Sequence, residues 1–267
     1  MLAIWGSVLV AAIPLAFVVA YVVQKGGRIV DLNFLRADIP FSSRARGPGM
    51  GPAVLGTLLT TGAASLMAIP LGVLAAVYLN EYGHRGRLAS TIRFLSDVMA
   101  GVPSIVMGLF IYTIWVLRFG YSGFAGALAL GCLMLPIVIR SAETALKLVP
   151  NELREASAAL GSRTSRTILT VVLPAALPGV VSGALLAVAR AAGETAPLLF
   201  TIGTVTSPNR NLFQGTNTAL SAQIFSNATQ PYQGAVDRAW GAAFTLIVLV
   251  FVMTAIARIV ARRFTVR

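Results

Sequence analysis

Charged residues are scarce in this 267-residue chain: they make up 11% of the sequence, nine of them are acidic, and there is one histidine and one cysteine. A single cysteine, Cys132, excludes an intrachain disulfide. One histidine, His84, and one cysteine cannot supply the ligands of a zinc protease, so no metal site is predicted. The sequence also lacks the G-x-x-x-x-G-K-[ST] loop that cradles nucleotide phosphates. It therefore predicts neither an ATPase site nor a bound cofactor in this chain.

Apolar residues dominate instead. They form 57% of the sequence, with a mean hydropathy of +0.81, values typical of a polytopic membrane protein. A spanning helix needs about 20 mostly apolar residues, and six segments are candidates: residues 2–23, 52–80, 92–117, 123–139, 171–202 and 240–260. The predicted fold class is an all-α membrane protein with six transmembrane helices, in which residues 1–267 form a single membrane domain.

Lysine and arginine residues orient such a bundle, because short cytoplasmic loops carry an excess of them. The connections at residues 81–91 and 140–170 and the C-terminal end carry more of these residues than the connections on the opposite side. Both termini are therefore predicted to be cytoplasmic. The net charge of +12 does not indicate nucleic-acid binding, because the basic residues are scattered over short loops rather than gathered in one stripe.

Two connections are long enough to carry function. Residues 203–238 are polar; they either cap a pore, meet a partner or form a merely solvated link. Residues 140–170 form a predicted cytoplasmic loop with a helix signal, in which Asn151 suits the N-cap, Glu152 and Glu155 the first turns, and Gly161 the C-terminal stop. The helix would present a small-residue surface that fits a partner's groove, although an ordinary interfacial helix explains the same pattern. The surface consists of Ala156, Ala158, Ala159 and Leu160.

The stretch RAAGETAP places two charges inside the fifth predicted span. Arg190 and Glu194 are four residues apart, so they share a helix face and can pair. A charge at mid-bilayer costs roughly 2.5–3.5 kcal/mol on insertion scales, so this face must point to the bundle interior or to a water-filled cavity. A guanidinium can donate two parallel hydrogen bonds to an oxyanion. Arg190, Glu194 and the adjacent Thr195 are therefore candidate substrate-pathway residues, and a purely structural salt bridge is the alternative.

Arg93 and Asp97 form a second i, i+4 pair, near the start of the third predicted span. Because Arg93 lies near the membrane interface, it can extend its charged end to water, and the pair is predicted to be a structural ion pair. Gly101 and Pro103 are expected to bend this span, either to shape a pathway or to improve packing.

Part of the cytoplasmic segment resembles the EAA loop of ABC-importer permeases. Glu155-Ala156, Gly161 and Leu173-Pro174 match its consensus spacing, while Ser157 replaces the usual alanine and Val171 the usual isoleucine. The resemblance implies a type I ABC importer (MetI-like) permease fold. It also implies that the segment from Glu155 to Gly161 is the coupling helix that docks into a cytoplasmic ATPase. The implied docking residues are Glu155, Ala156, Ser157, Ala158, Leu160 and Gly161.

Further stretches resemble the phosphate-specific transport family. They are residues 52–83, GVPSIVMGLF at residues 101–110 and RAAGETAPLLFTIG at residues 190–203, the last of which is similar to the PstA branch in particular. The resemblance implies a permease subunit in the bacterial inner membrane that imports phosphate. Its implied partners are a PstC-like second permease, a PstB-like ATPase dimer that uses ATP and Mg²⁺, and a PstS-like phosphate-binding protein.

The sequence leaves two alternatives for the function open. The same kind of importer could carry another oxyanion, sulfate or molybdate. A secondary transporter with Glu194 as a proton carrier is also possible, but it leaves the EAA pattern unexplained.

Overall fold

The computed structural model describes residues 1–45, 47, 49–83 and 86–264; His84 lies outside these ranges. The described residues are helical throughout their regular structure. The helices are α1 (Leu2–Gly26), α2 (Leu32–Arg36), α3 (Gly51–Val77), α4 (Arg87–Gly101), α5 (Ser104–Ile111), α6 (Gly123–Lys147), α7 (Asn151–Ala159), α8 (Leu173–Gly193), α9 (Ala196–Thr201), α10 (Leu220–Ala228) and α11 (Gln233–Phe264). Wider π-helical turns extend α3 through Tyr78–Tyr82, continue α5 through Tyr112–Val116, and precede α8 at Ile168–Val172. Two short α-helical turns complete these segments: Leu117–Phe119 follows the turn after α5, and Thr164–Thr167 begins the segment that leads into α8.

Among the described residues, five helical segments are long and apolar enough to cross a membrane: Gly6–Gly26, Gly51–Tyr82, Gly123–Lys147, Thr164–Gly193 and Gln233–Ile259. The pair Arg87–Gly101 and Ser104–Phe119 makes a sixth if the two helices count as one broken span. The expected all-α membrane fold is confirmed. The third predicted span, residues 92–117, is present as this broken pair, and the chain bends by 106° between its two helices.

Proline explains the position of this bend. Val102, which precedes Pro103, is extended at φ −71°, ψ 128°, because a proline ring disfavours helical geometry in the residue before it. A new helix then begins at Ser104. The expected bend at Gly101 and Pro103 therefore lies where the sequence placed it.

The bounds of two other predicted spans are corrected. The helix predicted at residues 123–139 continues to Lys147, so the first part of the predicted loop, residues 140–147, is helical and belongs to α6. The span predicted at residues 171–202 starts earlier, at Thr164, and is interrupted after Gly193. Glu194 is extended at φ −70°, ψ 127°, and α9 begins two residues later with Pro197 in its first turn, a position that proline tolerates well.

Small residues let the central helices approach closely. The core between α3 and α6 is built from Ala64, Ala68 and Ala127 with Leu130 and Met134, all of them buried. α8 joins them through its own alanines. Small side chains at helix contacts are the usual means of close packing in membranes, where lipid gives no hydrophobic drive for association.

The connection after α9 folds back onto the bundle instead of lying in solvent. The Leu220 backbone N–H donates to Thr57 Oγ1 at 2.9 Å, and the Asn217 N–H donates to the Ile202 carbonyl at 2.7 Å. Within α10, Gln223 and Asn227 are buried and hydrogen-bonded to each other. The merely solvated link considered for residues 203–238 is therefore excluded for this part of the connection.

The bent span packs against the interrupted span and approaches it tightly at a glycine of α5. A Cβ on Gly108 of α5 would lie 2.5 Å from Pro197 Cα, far inside van der Waals contact. Gly108 belongs to GVPSIVMGLF and Pro197 to RAAGETAP, so two stretches that carried the family resemblance pack directly together. The contact holds the helix break at Glu194 and Thr195 against α5.

Gly108→Ala should destabilise the folded chain by about 1–3 kcal/mol, because the added methyl group overpacks this contact. The measurement is the thermal midpoint of the detergent-solubilised protein. Gly62→Ala is the matched control in another helix, since nothing lies within 4 Å of a Cβ at that position. Equal midpoints for the two variants would contradict a close contact at Gly108.

Candidate functional site

A buried carboxylate organises the charges where α4 meets α6. The Glu143 side chain is only 2% exposed and lies 2.8 Å from Lys147 Nζ, 3.0 Å from Arg93 Nε and 3.6 Å from an Arg140 guanidinium nitrogen. We call these four residues and Asp97, which pairs with Arg140, the Glu143 cluster. A buried carboxylate is stable only when it is paired and hydrogen-bonded, and three cations meet that requirement here.

The expected pairing of Arg93 with Asp97 is wrong. Arg93 donates from Nε to Glu143 Oε1 and from a terminal nitrogen to the Leu79 carbonyl at 3.0 Å, whereas Asp97 takes Arg140 as its partner. The i, i+4 spacing predicts pairs within one helix only. Because α6 packs beside α4, Glu143 and Arg140 of α6 are close enough to pair with Arg93 and Asp97 of α4. The sequence does contain a signal for Glu143, since Arg140, Glu143 and Lys147 are spaced to share one helix face.

Arg190 and Glu194 are in contact, as the sequence predicted, but Glu194 lies just past the end of α8 and the contact is weak. Arg190 Nε lies 3.4 Å from Glu194 Oε1, and the two side chains are 64% and 18% exposed. The break beside them is supported by α10, because the Ser221 hydroxyl donates to the Glu194 carbonyl at 2.9 Å. Backbone groups freed by a helix break inside a membrane need such a partner. Thr195 lies in the same break, between α8 and α9.

The exposure of Arg190 limits what can lie beside this part of α8. A guanidinium on a spanning helix does not face hydrocarbon at acceptable cost, so it must meet water or protein. In this single chain most of its surface is uncovered. Arg190, in the last turn of α8, therefore meets water, the membrane interface or another protein surface.

The predicted cytoplasmic helix exists as α7, Asn151–Ala159. Most of its expected docking residues are exposed, and Leu160 at its end is 87% exposed. Gly161 follows with φ +75°, in the left-handed region that favours glycine. The exposed docking residues are Glu155, Ala156, Ala158, Leu160 and Gly161.

Ser157 differs from its neighbours, because it faces the interior. Its hydroxyl oxygen lies 2.9 Å from Thr167 Oγ1, and both residues are buried. Ser157 therefore ties α7 to the helical turn before α8 and does not contribute to the exposed surface on which it was expected. The hydroxyl also gives a physical reason for serine where the EAA consensus has alanine.

Similarity to known proteins gives evidence on the class of protein to which this chain belongs. The family model described as binding-protein-dependent transport system inner membrane component matches residues 68–266. A solved chain of the inward-facing MetNI methionine ABC transporter aligns with a TM-score of 0.64 over 81% of this chain and 94% of its own length, at 20% sequence identity. The phosphate transport system permease protein PstA 1 of Mycobacterium tuberculosis is 44% identical over 251 residues, which cover 91% of this chain and 80% of that protein. PstA of Haemophilus influenzae is 36% identical over 257 residues, covering 95% and 89%.

The family-model match and the PstA relatives define a membrane-spanning transport permease, a non-catalytic component that is energised by a separate ATPase, and the helical bundle shares the fold of the solved transporter chain. The chain belongs to the family of binding-protein-dependent transport system inner membrane components and, within it, to the PstA phosphate transport permeases. The resemblance and the MetI-like fold expected from the sequence are confirmed, as is a multi-pass location in the inner membrane. The secondary-transporter alternative is not favoured.

The Glu143 cluster yields a stability prediction. Glu143→Gln should lower the free energy of unfolding by about 1–3 kcal/mol, because it leaves three cations without their buried carboxylate. Asp97→Asn is the matched control: its side chain is 59% exposed, and such pairs contribute about 0–1 kcal/mol. Thermal unfolding of the purified variants measures both effects. A larger loss for Asp97→Asn would show that Glu143 is not the centre of the cluster.

Proposed function

We propose that this chain is the PstA-type permease subunit of an ATP-driven phosphate importer and forms half of its translocation path. The observation that carries the proposal is the 44% identity to a phosphate transport permease over 91% of the chain. The exposed Arg190 beside the helix break supports it, since a guanidinium at a helix interruption is suited to an oxyanion in transit.

Arg190 acts in this proposal as a transient phosphate contact, with Glu194 and Thr195 beside it. Phosphate carries one to two negative charges near neutral pH and offers several acceptor oxygens to the guanidinium. Glu194 competes for the same guanidinium at 3.4 Å and so keeps the affinity for phosphate low. Low affinity is useful, because a transport site must release what it binds.

The proposed partners are those that the resemblance to the phosphate-specific transport family implies, and two exposed surfaces support two of them. A PstC-type second permease completes the path along the face of α8 that carries Arg190. Two PstB-type ATPases, which use ATP and Mg²⁺, dock on α7, and a PstS-type binding protein delivers phosphate on the opposite side of the membrane. Both chain termini are then cytoplasmic, together with α7.

The proposed cycle uses α7 as the moving contact. ATP binding closes the ATPase dimer and displaces α7, and the bundle opens outward to accept phosphate. Hydrolysis returns it to the inward-facing state. The exposed leucine and alanines of α7 support this role, because a small-residue helix surface fits a partner's groove.

Phosphate uptake tests the substrate and Arg190 together. Cells that lack this chain are complemented with wild type or Arg190→Gln at matched membrane levels, and ATP-dependent uptake of labelled phosphate is measured with excess sulfate or molybdate as competitors. We expect wild type to restore uptake that resists both competitors, and Arg190→Gln to lower it about 10-fold or more, since a charge-assisted hydrogen bond contributes about 1.5–3 kcal/mol.

Each other outcome has a distinct meaning. Persistent uptake by Arg190→Gln would leave Arg190 a structural role only. Uptake that sulfate or molybdate abolishes would overturn the substrate and leave the family membership intact.

Docking on α7 gives a separate prediction. Leu160→Asp should strongly reduce co-purification of the ATPase, because it places a charge on a side chain that the partner is proposed to cover. Ser157→Ala is the control on the same helix, since Ser157 faces the interior and should leave co-purification unchanged. Undiminished ATPase recovery with Leu160→Asp would exclude Leu160 from the interface.

A further inference from the structure

One arginine joins α7 to the ends of two membrane helices. The Arg154 guanidinium donates to both carboxylate oxygens of Glu81, at 2.9 and 3.3 Å. It also donates to the carbonyl of Val149 at 2.8 Å and to the carbonyl of Leu146 at 3.2 Å. A fifth contact, at 3.3 Å, goes to Asn151 Oδ1 within α7 itself. We call Arg154 and Glu81 the Arg154 joint.

Three helical segments meet at the Arg154 joint. Arg154 lies in the middle of α7, and Glu81 lies on the π-helical extension of α3. Leu146 belongs to the last turn of α6, and Val149 follows it. The last carbonyls of a helix lack partners within the helix, and the Leu146 carbonyl accepts both the Val149 N–H at 3.3 Å and the Arg154 guanidinium.

Burial separates the Arg154 joint from ordinary surface ion pairs. The side chains of Glu81 and Arg154 are 8% and 21% exposed, and the contact is bidentate. Exposed single contacts between charges contribute little, whereas a two-bond contact between planar groups fixes their relative orientation. Lysine cannot reproduce that geometry, because its ammonium is a point charge on a flexible stem.

A hydrogen bond close to Glu81 connects the Arg154 joint to α4. Leu79, two residues before Glu81, accepts a hydrogen bond from Arg93 of α4. Arg93 in turn contacts Glu143 of α6. A displacement of α3 or α6 at this end therefore also moves α4. α4 ends at the bend before Pro103, and Gly108 in the next helix, α5, packs against Pro197 beside the helix break.

We propose that Arg154 is the positioning residue that transmits the movement of α7 to α3 and α6, with Glu81 as its acceptor; this rests on the proposed docking of an ATPase on α7. Without the joint, α7 keeps its exposed docking surface and its Ser157 contact to Thr167. It loses the rigid connection to the two most centrally packed helices. The ATPase should then still bind and hydrolyse ATP while its movement no longer reaches the helix break.

Two variants and a control test the proposal in the assembled importer reconstituted in lipid vesicles. Arg154→Gln removes the positive charge and the bidentate contact with Glu81. Glu81→Gln keeps the shape of the acceptor and one carbonyl oxygen, so it serves if Arg154→Gln does not fold. Arg87→Gln is the matched control, because Arg87 is an exposed arginine close in sequence to Glu81, at the start of α4.

The first readout is the number of labelled phosphate ions imported per ATP hydrolysed. We expect both joint variants to retain the ATPase and most of its hydrolysis, and to lower the ratio about 10-fold, a size typical of coupling between sites. Arg154→Lys should recover only part of the ratio, and Arg87→Gln should match wild type. An unchanged ratio in both joint variants would overturn the proposal. So would a loss of uptake that merely follows a loss of bound ATPase.

The second readout does not depend on the substrate. Amide hydrogen exchange of residues 190–202 is compared with and without a non-hydrolysable ATP analogue in the same complexes. We expect the nucleotide to change exchange there in wild type and Arg87→Gln, and to have no such effect in Arg154→Gln and Glu81→Gln. A full nucleotide response in the joint variants would contradict transmission through Arg154. If wild type responds to nucleotide but does not import phosphate, the substrate is wrong and this second readout still decides the role of Arg154.

Discussion

Every charge and every freed backbone group in this chain must find a partner within the protein or meet water, because lipid offers none. Glu143 shows the constraint for a side chain: it is almost fully buried, and cations from α4 and from its own helix surround it. The helix break at Glu194 shows it for the backbone, since a hydroxyl of α10 reaches the freed carbonyl. The position of α4 against α6, and of α10 beside the break that follows α8, meets these two requirements. Polar contacts thus fix the arrangement that apolar packing alone would leave adjustable.

Close packing makes those contacts precise. Alanine and glycine let α3 and α6 approach until side chains of one helix touch the backbone region of the other, as at Gly72, where a Cβ would lie 2.7 Å from Val138 Cγ1. Helices packed this closely move as one body unless a larger rearrangement separates them. Charges at the ends of α3 and α6 therefore act on the whole pair.

Hydropathy was sufficient to place the apolar helices, because burial in lipid demands length and apolar composition, which a sequence displays directly. It failed at the ends of helices, where α6 continues through polar residues to Lys147. The bend at Pro103 could be located from proline chemistry, but its angle depends on what packs around it. The Arg93 pairing could not be found from spacing, because its true partner lies 50 residues further along the chain. Ser157 was assigned to the docking face by a motif, while Thr167, which turns it inward, belongs to another element.

Arginine–carboxylate contacts differ between two parts of the bundle. The shortest distance is 3.0 Å for Arg93 with Glu143, where α4 meets α6, and 2.9 Å for Arg154 with Glu81, where α7 meets the extension of α3. Among the described residues, Arg190 makes one acid contact, 3.4 Å long, and its side chain is mostly exposed. Tight pairing suits residues that must hold helices together, because release would leave a buried charge alone. Loose pairing suits a residue that must exchange one anionic partner for another, and the two kinds of site are linked within one bundle by Gly108 and Pro197.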